Sequence, residues 1–520
     1  MWAERNKIPA QQQGPSVVGN LFDHQYSNIT MNKHTKTFKP LFLLLFICIQ
    51  GRILYGQGNQ SYSKEVKTKI AQVENNLSGW VEIESIPNNW TLADRMKFYH
   101  ANGVSIAVIK DYKIEWAKGY GWADSAEQRP VTIETLFQAG SNSKSLNAIG
   151  VLKLVQDGKL NLYTDINDYL KTWKFPYDSL SRGKKITIAN LLSHTAGLTI
   201  HGFPGYEKGD SIPTLVQVLN GERPANTDAV RSMYEPGLKF EYSGGGITIS
   251  QLIVQDITGQ PYDEYMWENV LKPLDMTYSS YTQPPPSSRE SLLATGYYND
   301  GKPVKGKYHI YPEQAAAGLW TNPTDLAKYV IETQLALAGR SQKVLSKKMT
   351  ELRLTPYIDS SSAFGVFILN KNGIKYFTHG GVDEGFVSQY VGSFDGGNGV
   401  VVMTNTYNTA LFNEIINSVA TVYNWKNYYT PVIKSEIVLP DSLLKMYVGK
   451  YKIGNDTLSV VNKSDGIYLN VGDNTLWKIH FTDNTHFFFV EQKMDLNFVI
   501  NATKKVTGFT INKGMAMKIE

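Results

Sequence analysis

The chain is 520 residues long, 42% hydrophobic and 19% charged, with a formal net charge of +5. Those proportions fit a globular protein of two or three domains, and without a dense Lys/Arg stripe they leave no footprint for nucleic acid. The single cysteine, Cys48, excludes an internal disulfide framework.

Lys33, Lys36 and Lys39 precede the apolar run Leu41-Phe42-Leu43-Leu44-Leu45-Phe46-Ile47-Cys48-Ile49, and Gly51, Gly56 and Gly58 follow it. About nine apolar residues are too few to span a bilayer but suit an export signal. Residues 31–57 are therefore expected to be a signal peptide, with Met31 as the start and 1–30 as an upstream segment without structural role. An uncleaved signal acting as a short anchor is the alternative, and the only expected tie to a membrane. Leu45-Phe46-Ile47 offers no small residue ahead of Cys48, which argues against a lipoprotein. Removal of the leader would leave no cysteine for thiol chemistry or a metal. The expected location is the periplasm or the extracellular space.

Residues 58–89 read as an N-terminal extension in which order begins near Glu65. Thr91 to Ala101 reads as a helix with a Thr cap. Val104–Ile109 and Ile114–Tyr120 read as strands joined by Asp111-Tyr112-Lys113. Glu134 to Thr172 has a helical period, and a short helix at 190–193 leads into a Thr195-Ala196-Gly197 break. A Gly- and Pro-rich stretch from Thr199 to Lys239 is long enough to line a site or to be disordered. Helices are expected at Ile247–Thr258, closed by Gly259, at Asp325–Ala338 and at Asn413–Asn424. Strands are expected at Phe364–Leu369, Lys375–His379, Ser388–Phe394 and Gly399–Asn405. Helices in the middle with strands from both ends imply an α/β (α+β) body, residues 90–431, around one mainly antiparallel sheet. Beyond Pro431, alternating runs separated by turns such as Ser464-Asp465-Gly466 and Asn512-Lys513-Gly514 predict a small all-β barrel or sandwich over 436–520.

Four Ser-x-x-Lys matches occur, at Ser61/Lys64, Ser141/Lys144, Ser181/Lys184 and Ser442/Lys445. Residues three apart on a helix share a face, and a neutral amine beside a hydroxyl can take its proton. Only Ser141 combines an upstream small-residue turn, Ala139-Gly140, with a downstream helix of the right period that stops at Asp157-Gly158. If Ser141 opens that helix, the positive end of its dipole disfavours the Lys144 ammonium. Glu235 to Gly246 then supplies Tyr242 beside a run of glycines that permits close backbone approach. Lys144 would lower the Tyr242 pKa, although a turn tyrosine with its ring on the surface fits the same spacing. Thr378-His379-Gly380-Gly381 ends a strand. There His379 could carry a proton, the glycines could expose backbone N–H groups, and a purely structural strand histidine is the plain alternative.

Taken in order, Ser-x-x-Lys, Tyr-Ser-Gly and His-Gly-Gly resemble the serine β-lactamase and penicillin-binding superfamily, in its class C-like branch. The phrases Thr135-Leu136-Phe137-Gln138-Ala139-Gly140, Leu191-Leu192-Ser193-His194-Thr195-Ala196-Gly197-Leu198, Pro273-Leu274-Asp275-Met276 and the run from Ala316 to Leu326 match as well, over roughly residues 90–425. Tyr447-Val448-Gly449-Lys450-Tyr451 resembles the start of the β-domain often appended to such proteins. The resemblance implies a β-lactamase/DD-peptidase-like body with an all-helical insertion. It makes Ser141 the acylated nucleophile and Lys144 and Tyr242 the proton-transfer pair. His379 stands where many relatives carry Lys, and the N–H groups of Ser141 and Val382 form the oxyanion hole. Gly380, Gly381 and Gly244 line the substrate. His194 reads as structural. Two departures bear on substrate: Gly244 replaces a frequent Asn, and His379, titrating near pH 6.5 when unperturbed, makes carboxylate recognition weak or pH-dependent.

The expected function is an exported serine hydrolase acting through an acyl-enzyme on an ester, a D-amino-acid peptide or a β-lactam. The substrate is a small molecule or peptide, with cell-wall material among the candidates. A catalytically silent ligand-binding protein is the rival, and a wall-binding role for the C-terminal domain is another. HExxH is absent and the nine histidines are scattered, so no metal or organic cofactor is expected.

Overall fold

The computed structural model describes residues 62–519 other than 87, 89, 455, 471–475 and 513. The upstream segment 1–30, the expected export signal with Cys48, and Lys513 of the 512–514 turn lie outside the described residues. No helix among the described residues is long and apolar enough to cross a membrane.

The body is built on an eight-stranded, wholly antiparallel sheet. Its strands are β1 (Gly103–Lys110), β2 (Lys113–Asp124), β3 (Arg129–Pro130), β4 (Ser362–Ala363), β5 (Val366–Lys371), β6 (Ile374–Asp383), β7 (Phe386–Ser393) and β8 (Gly399–Thr404). The order β3-β2-β1-β8-β7-β6-β5-β4 pairs the two ends of the body at β1 and β8, with Val401 opposite Ala107. Alternation along β1 sends Ala107 and Ile109 to one core and Val104, Ile106 and Val108 to the other, as a period of two requires.

The first core holds α3 (Ser143–Gln156), α4 (Gly244–Thr258) and α5 (Pro323–Leu337). The second holds α1 (Lys64–Glu74), α2 (Leu92–Phe98) and α6 (Ala410–Val422). Thr91 caps α2 as read from the sequence, accepting from Asp94 N–H. α3 is buried on nearly every side, which explains an apolar pattern with little amphipathic bias. The helical stretch expected over 134–172 is broken in three. Phe137–Gln138 pairs with Trp320–Thr321 as a short strand, α3 stops at Gln156, and a single turn follows at Ile166–Tyr169. The loop-rich stretch 199–239 contains a helix at Leu215–Asn220 with a Thr214/Gln217 capping box.

The C-terminal sheet has nine antiparallel strands, from Gly449–Ile453 to Gly514–Lys518. Residues 477–481 alternate as a single strand would, but they belong to two. Leu476–Lys478 lies on one edge of the sheet and His480–Phe481 on the other. Ile479 carries the chain directly from one edge to the other, which brings the edges together into a nearly closed barrel, and its N–H donates to Ile467 O at 2.9 Å, extending the pairing on the Leu476–Lys478 side. Val490, on this barrel, accepts from Val81 N–H at 3.3 Å, and Glu491 approaches Arg95 at 3.4 Å. Arg95 also holds Glu414 on α6 at 2.6 Å. The barrel therefore packs on the α2/α6 face, away from α3.

Candidate active site

Gly140 has φ +52, a conformation that glycine adopts at little cost. It opens the 3-10 turn Gly140–Asn142 that runs directly into α3. The turn is held by several side chains. Ser143 Oγ donates to Gly140 O at 2.6 Å, Asn142 Nδ2 donates to Ser388 Oγ at 2.7 Å, and Asp383 Oδ2 accepts from Gly140 N–H at 3.1 Å. From Thr135 to Leu152 only Ser141 keeps appreciable exposure. One hydroxyl is thus presented to solvent from an otherwise buried segment.

Lys144, one turn on, is 2% exposed. Its Nζ lies 2.9 Å from Ser141 Oγ and donates to Ala316 O at 2.7 Å. Burial pushes its pKa down to about 7, against a smaller opposing pull from Asp383. The direction is the one anticipated from the sequence, but desolvation is the main cause rather than the helix dipole. Tyr242 is hydrogen-bonded to Ser141, and its ring centroid lies 5.2 Å from Lys144 Nζ. Its pKa moves opposite to the sequence expectation, upward, because burial outweighs the hydrogen bond with Ser141 and the nearby Asp383 adds to the rise.

Tyr242 is placed by the residue after it. Ser243 caps α4, accepting from Gly246 N–H at 2.9 Å and donating to Thr199 O at 2.9 Å. Ser243 N–H donates to His194 Nδ1 at 3.2 Å, and the His194 ring lies against Tyr242 with centroids 4.3 Å apart. The histidine read as structural from its phrase is therefore part of the site. Gly244 begins α4 behind Tyr242, where a Cβ would meet Phe203 and His201 O. Its place is in packing rather than in lining the cleft.

β6 supplies the opposite wall. A Cβ on Gly381 would lie 1.8 Å from Ala139 O, and one on Gly140 would lie 2.5 Å from Val382 N. The serine turn and residues 380–382 thus touch backbone to backbone, which brings the backbone nitrogens of Ser141 and Val382 to the same seam. His379 is buried beside this seam, with its ring 6.4 Å from that of Tyr242. Its Nδ1 lies 2.6 Å from Gly380 O, a carbonyl that can only accept, so Nδ1 carries the proton. Burial, aided by Lys144, pushes its pKa down to about 3. The pH-dependent positive charge expected here from the sequence is absent, because the ring is desolvated and stays neutral.

Two carboxyls complete the electrostatics. Asp383 and Glu313 are both pushed upward by burial, Glu313 to about 8. Neither Glu313 oxygen has a hydrogen-bond partner, as suits a protonated acid in an apolar surrounding. No period or motif marked these acids, and only Asp383, following Val382 directly, sat within reach of one. Among the described residues no group of three or more His, Cys, Asp and Glu could hold a metal ion. A basic amine, a phenol and paired backbone N–H groups around one exposed hydroxyl can deprotonate it, stabilise an oxyanion and return a proton to a leaving group.

A model of the family described as Beta-lactamase matches residues 90–420. Protein flp of Staphylococcus aureus (strain N315) is 29% identical over 64% of this chain, and the match spans 65% of flp. The putative penicillin-binding protein PbpX of Bacillus subtilis is 25% identical over 70% of this chain and 85% of its own length. Among solved structures, the octameric penicillin-binding protein homologue from Pyrococcus abyssi superposes with a TM-score of 0.56 at 23% identity, covering 82% of this chain and 98% of that one. At that identity the structural likeness speaks for the fold alone.

Proposed function

This chain belongs to the Beta-lactamase family, and on that premise we propose that it is a class C-like serine hydrolase that cleaves an ester or amide through an acyl-enzyme on Ser141. One observation carries the reading. The Lys144 amine, desolvated toward its neutral form, lies 2.9 Å from the Ser141 hydroxyl with its other contact fixed on Ala316 O. As Ser141 Oγ attacks the carbonyl, its proton passes to Lys144 Nζ. The negative charge that forms on the carbonyl oxygen rests between the N–H groups of Ser141 and Val382. The bond to the leaving group breaks as Tyr242 delivers a proton to the departing atom and recovers one from Lys144. Water then attacks the acyl group, and the same groups relay its proton back to Ser141.

Esters and D-amino-acid amides rank above β-lactams as substrates. A β-lactam presents a carboxylate, and His379 offers no charge to hold one. The expected signal at 31–57 argues for export, with small molecules, peptides or cell-wall fragments met outside the cytoplasm. The test is a panel of p-nitrophenyl esters, D-alanyl peptides and nitrocefin on the purified chain. Turnover of esters or D-amides ahead of nitrocefin is expected. A chain that turns over none of them and leaves Ser141 unlabelled by a fluorophosphonate would be the silent binder instead.

A further inference from the structure

Five rings form a closed circuit beside Ser141. Tyr242 touches His194 at 4.3 Å between centroids, His194 touches Phe240 at 6.1 Å, and Phe240 touches Phe367 at 6.0 Å. Phe367 touches His379 at 5.2 Å, and His379 returns to Tyr242 at 6.4 Å. The histidines are buried, whereas Phe240, Phe367 and Tyr242 are half-buried, so the circuit meets solvent on their side. The approach is apolar too: Leu238 and Ile358, whose Cδ1 reaches the Gly237 turn, are exposed.

Each histidine of the circuit is neutral and keeps one nitrogen unpartnered. His379 donates Nδ1–H to Gly380 O, which leaves Nε2 as an acceptor, and His194 receives Ser243 N–H on Nδ1, which leaves Nε2–H as a donor. Both Nε2 atoms are buried without a hydrogen-bond partner. The cations nearest the circuit are already engaged. Lys144 is engaged between Ser141 and Ala316, and Arg353 is fully buried against Tyr329 and the Ser145 carbonyl, out of reach of the cleft. An anionic group placed among these rings would lose its water, would have to compete with Ser141 and Ala316 for the one nearby amine, and would face the lone pair of His379.

We propose that this circuit is the subsite for the leaving portion of the substrate, that it takes an uncharged apolar group of aryl size, and that it rejects a carboxylate. The assignment to the leaving side rests on the acyl-enzyme reading, in which Tyr242 returns the proton to the departing atom. An aryl group meets the faces and edges of the phenylalanines in the offset and T-shaped contacts that such rings favour.

The test compares three acetate esters that give the same acyl-enzyme: methyl acetate, benzyl acetate and 4-carboxybenzyl acetate. Because the acyl group is shared, kcat/KM reports acylation and hence the leaving-side contacts. Benzyl acetate is expected to exceed its carboxylated analogue at least tenfold. Phe240→Ala and Phe367→Ala are each expected to cut the benzyl-over-methyl preference by roughly tenfold, the scale of a lost hydrophobic pocket contact. In parallel, the Ser141→Ala protein is titrated calorimetrically with N-benzylacetamide and N-(4-carboxybenzyl)acetamide, and only the first is expected to bind. Equal handling of the two benzyl compounds in turnover and in binding would overturn the subsite, as would a benzyl preference untouched in both Phe variants. Selective binding without turnover of any acetate would keep the subsite and remove the hydrolase reading. Turnover of methyl acetate with no benzyl preference would do the reverse.

Discussion

Lys144 is the residue on which the chemistry turns, and its burial fixes when it can act. A base must be unprotonated to accept the Ser141 proton, so kcat/KM should climb with pH through an apparent midpoint near 7, the value to which burial brings Lys144. Tyr242 is pushed upward and stays a phenol over that range. A profile flat from pH 5 to 9 would contradict this assignment. Ser141→Ala should abolish acylation. Lys144→Ala and Tyr242→Phe should each slow it by about two to four orders of magnitude, and their combination should cost far less than the product of the two, because they act as one relay. His379→Ala should change substrate preference more than rate, since a neutral ring beside the seam serves recognition. Glu313 gives a stability test. An acid whose folded pKa lies near 8, above its ordinary 4.5, binds its proton more tightly in the folded chain. Stability should therefore fall as pH rises from about 4.5 to about 8, by up to a few kcal/mol. Glu313→Gln should remove that slope, read as the difference between the two proteins' denaturant midpoints at pH 5 and pH 9.

Among the elements, the seam between the serine turn and β6 has the least tolerance. Gly381→Ala would drive a methyl into Ala139 O and toward Ser141 N. The expected result is a loss on the order of a few kcal/mol in stability, together with loss of acylation in the folded remainder. A variant with wild-type melting and labelling would show that the two backbones do not touch. The halves of this seam were legible separately. Ala139-Gly140 before a helical period marked the turn, and His379-Gly380-Gly381 marked the strand, which does not end there as expected but runs on to Asp383. Their contact was not legible, because it joins residues far apart in the chain through backbone alone. For the same reason Asp383, Glu313 and the second role of His194 escaped notice. Each draws its character from burial by distant segments, and no local period encodes that. The long helix expected over 134–172 failed because Phe137 and Gln138, apolar and polar in alternation, fit either period until Trp320 and Thr321 pair with them.

At the scale of the whole molecule, one sheet separates two cores, with the site on one side and the C-terminal barrel on the other. The barrel meets the body through Val81, Val490 and the Arg95–Glu414–Glu491 cluster, all on the face away from α3. Deleting 436–520 should lower the melting temperature, because Val81 and Arg95 lose cover. The kcat/KM of a small ester should stay within a few-fold of wild type in the chain that remains folded. Loss of activity without loss of stability would instead place the barrel in catalysis. The mixed class and the all-β tail were readable from the switch between helical and alternating periods. The pairing of β1 with β8 was not, since period alone gives no partner. The strand at Gly449–Ile453 went unread as well, although Gly454-Asn455 after it is a turn signal.

The most direct measurement is mass spectrometry of the protein quenched in acid during turnover of a slow ester, followed by digestion. The acyl mass should appear on the peptide that holds Ser141 and be missing from the Ser141→Ala protein. An acyl group found on another residue, or turnover that proceeds unchanged after Ser141→Ala, would contradict the account.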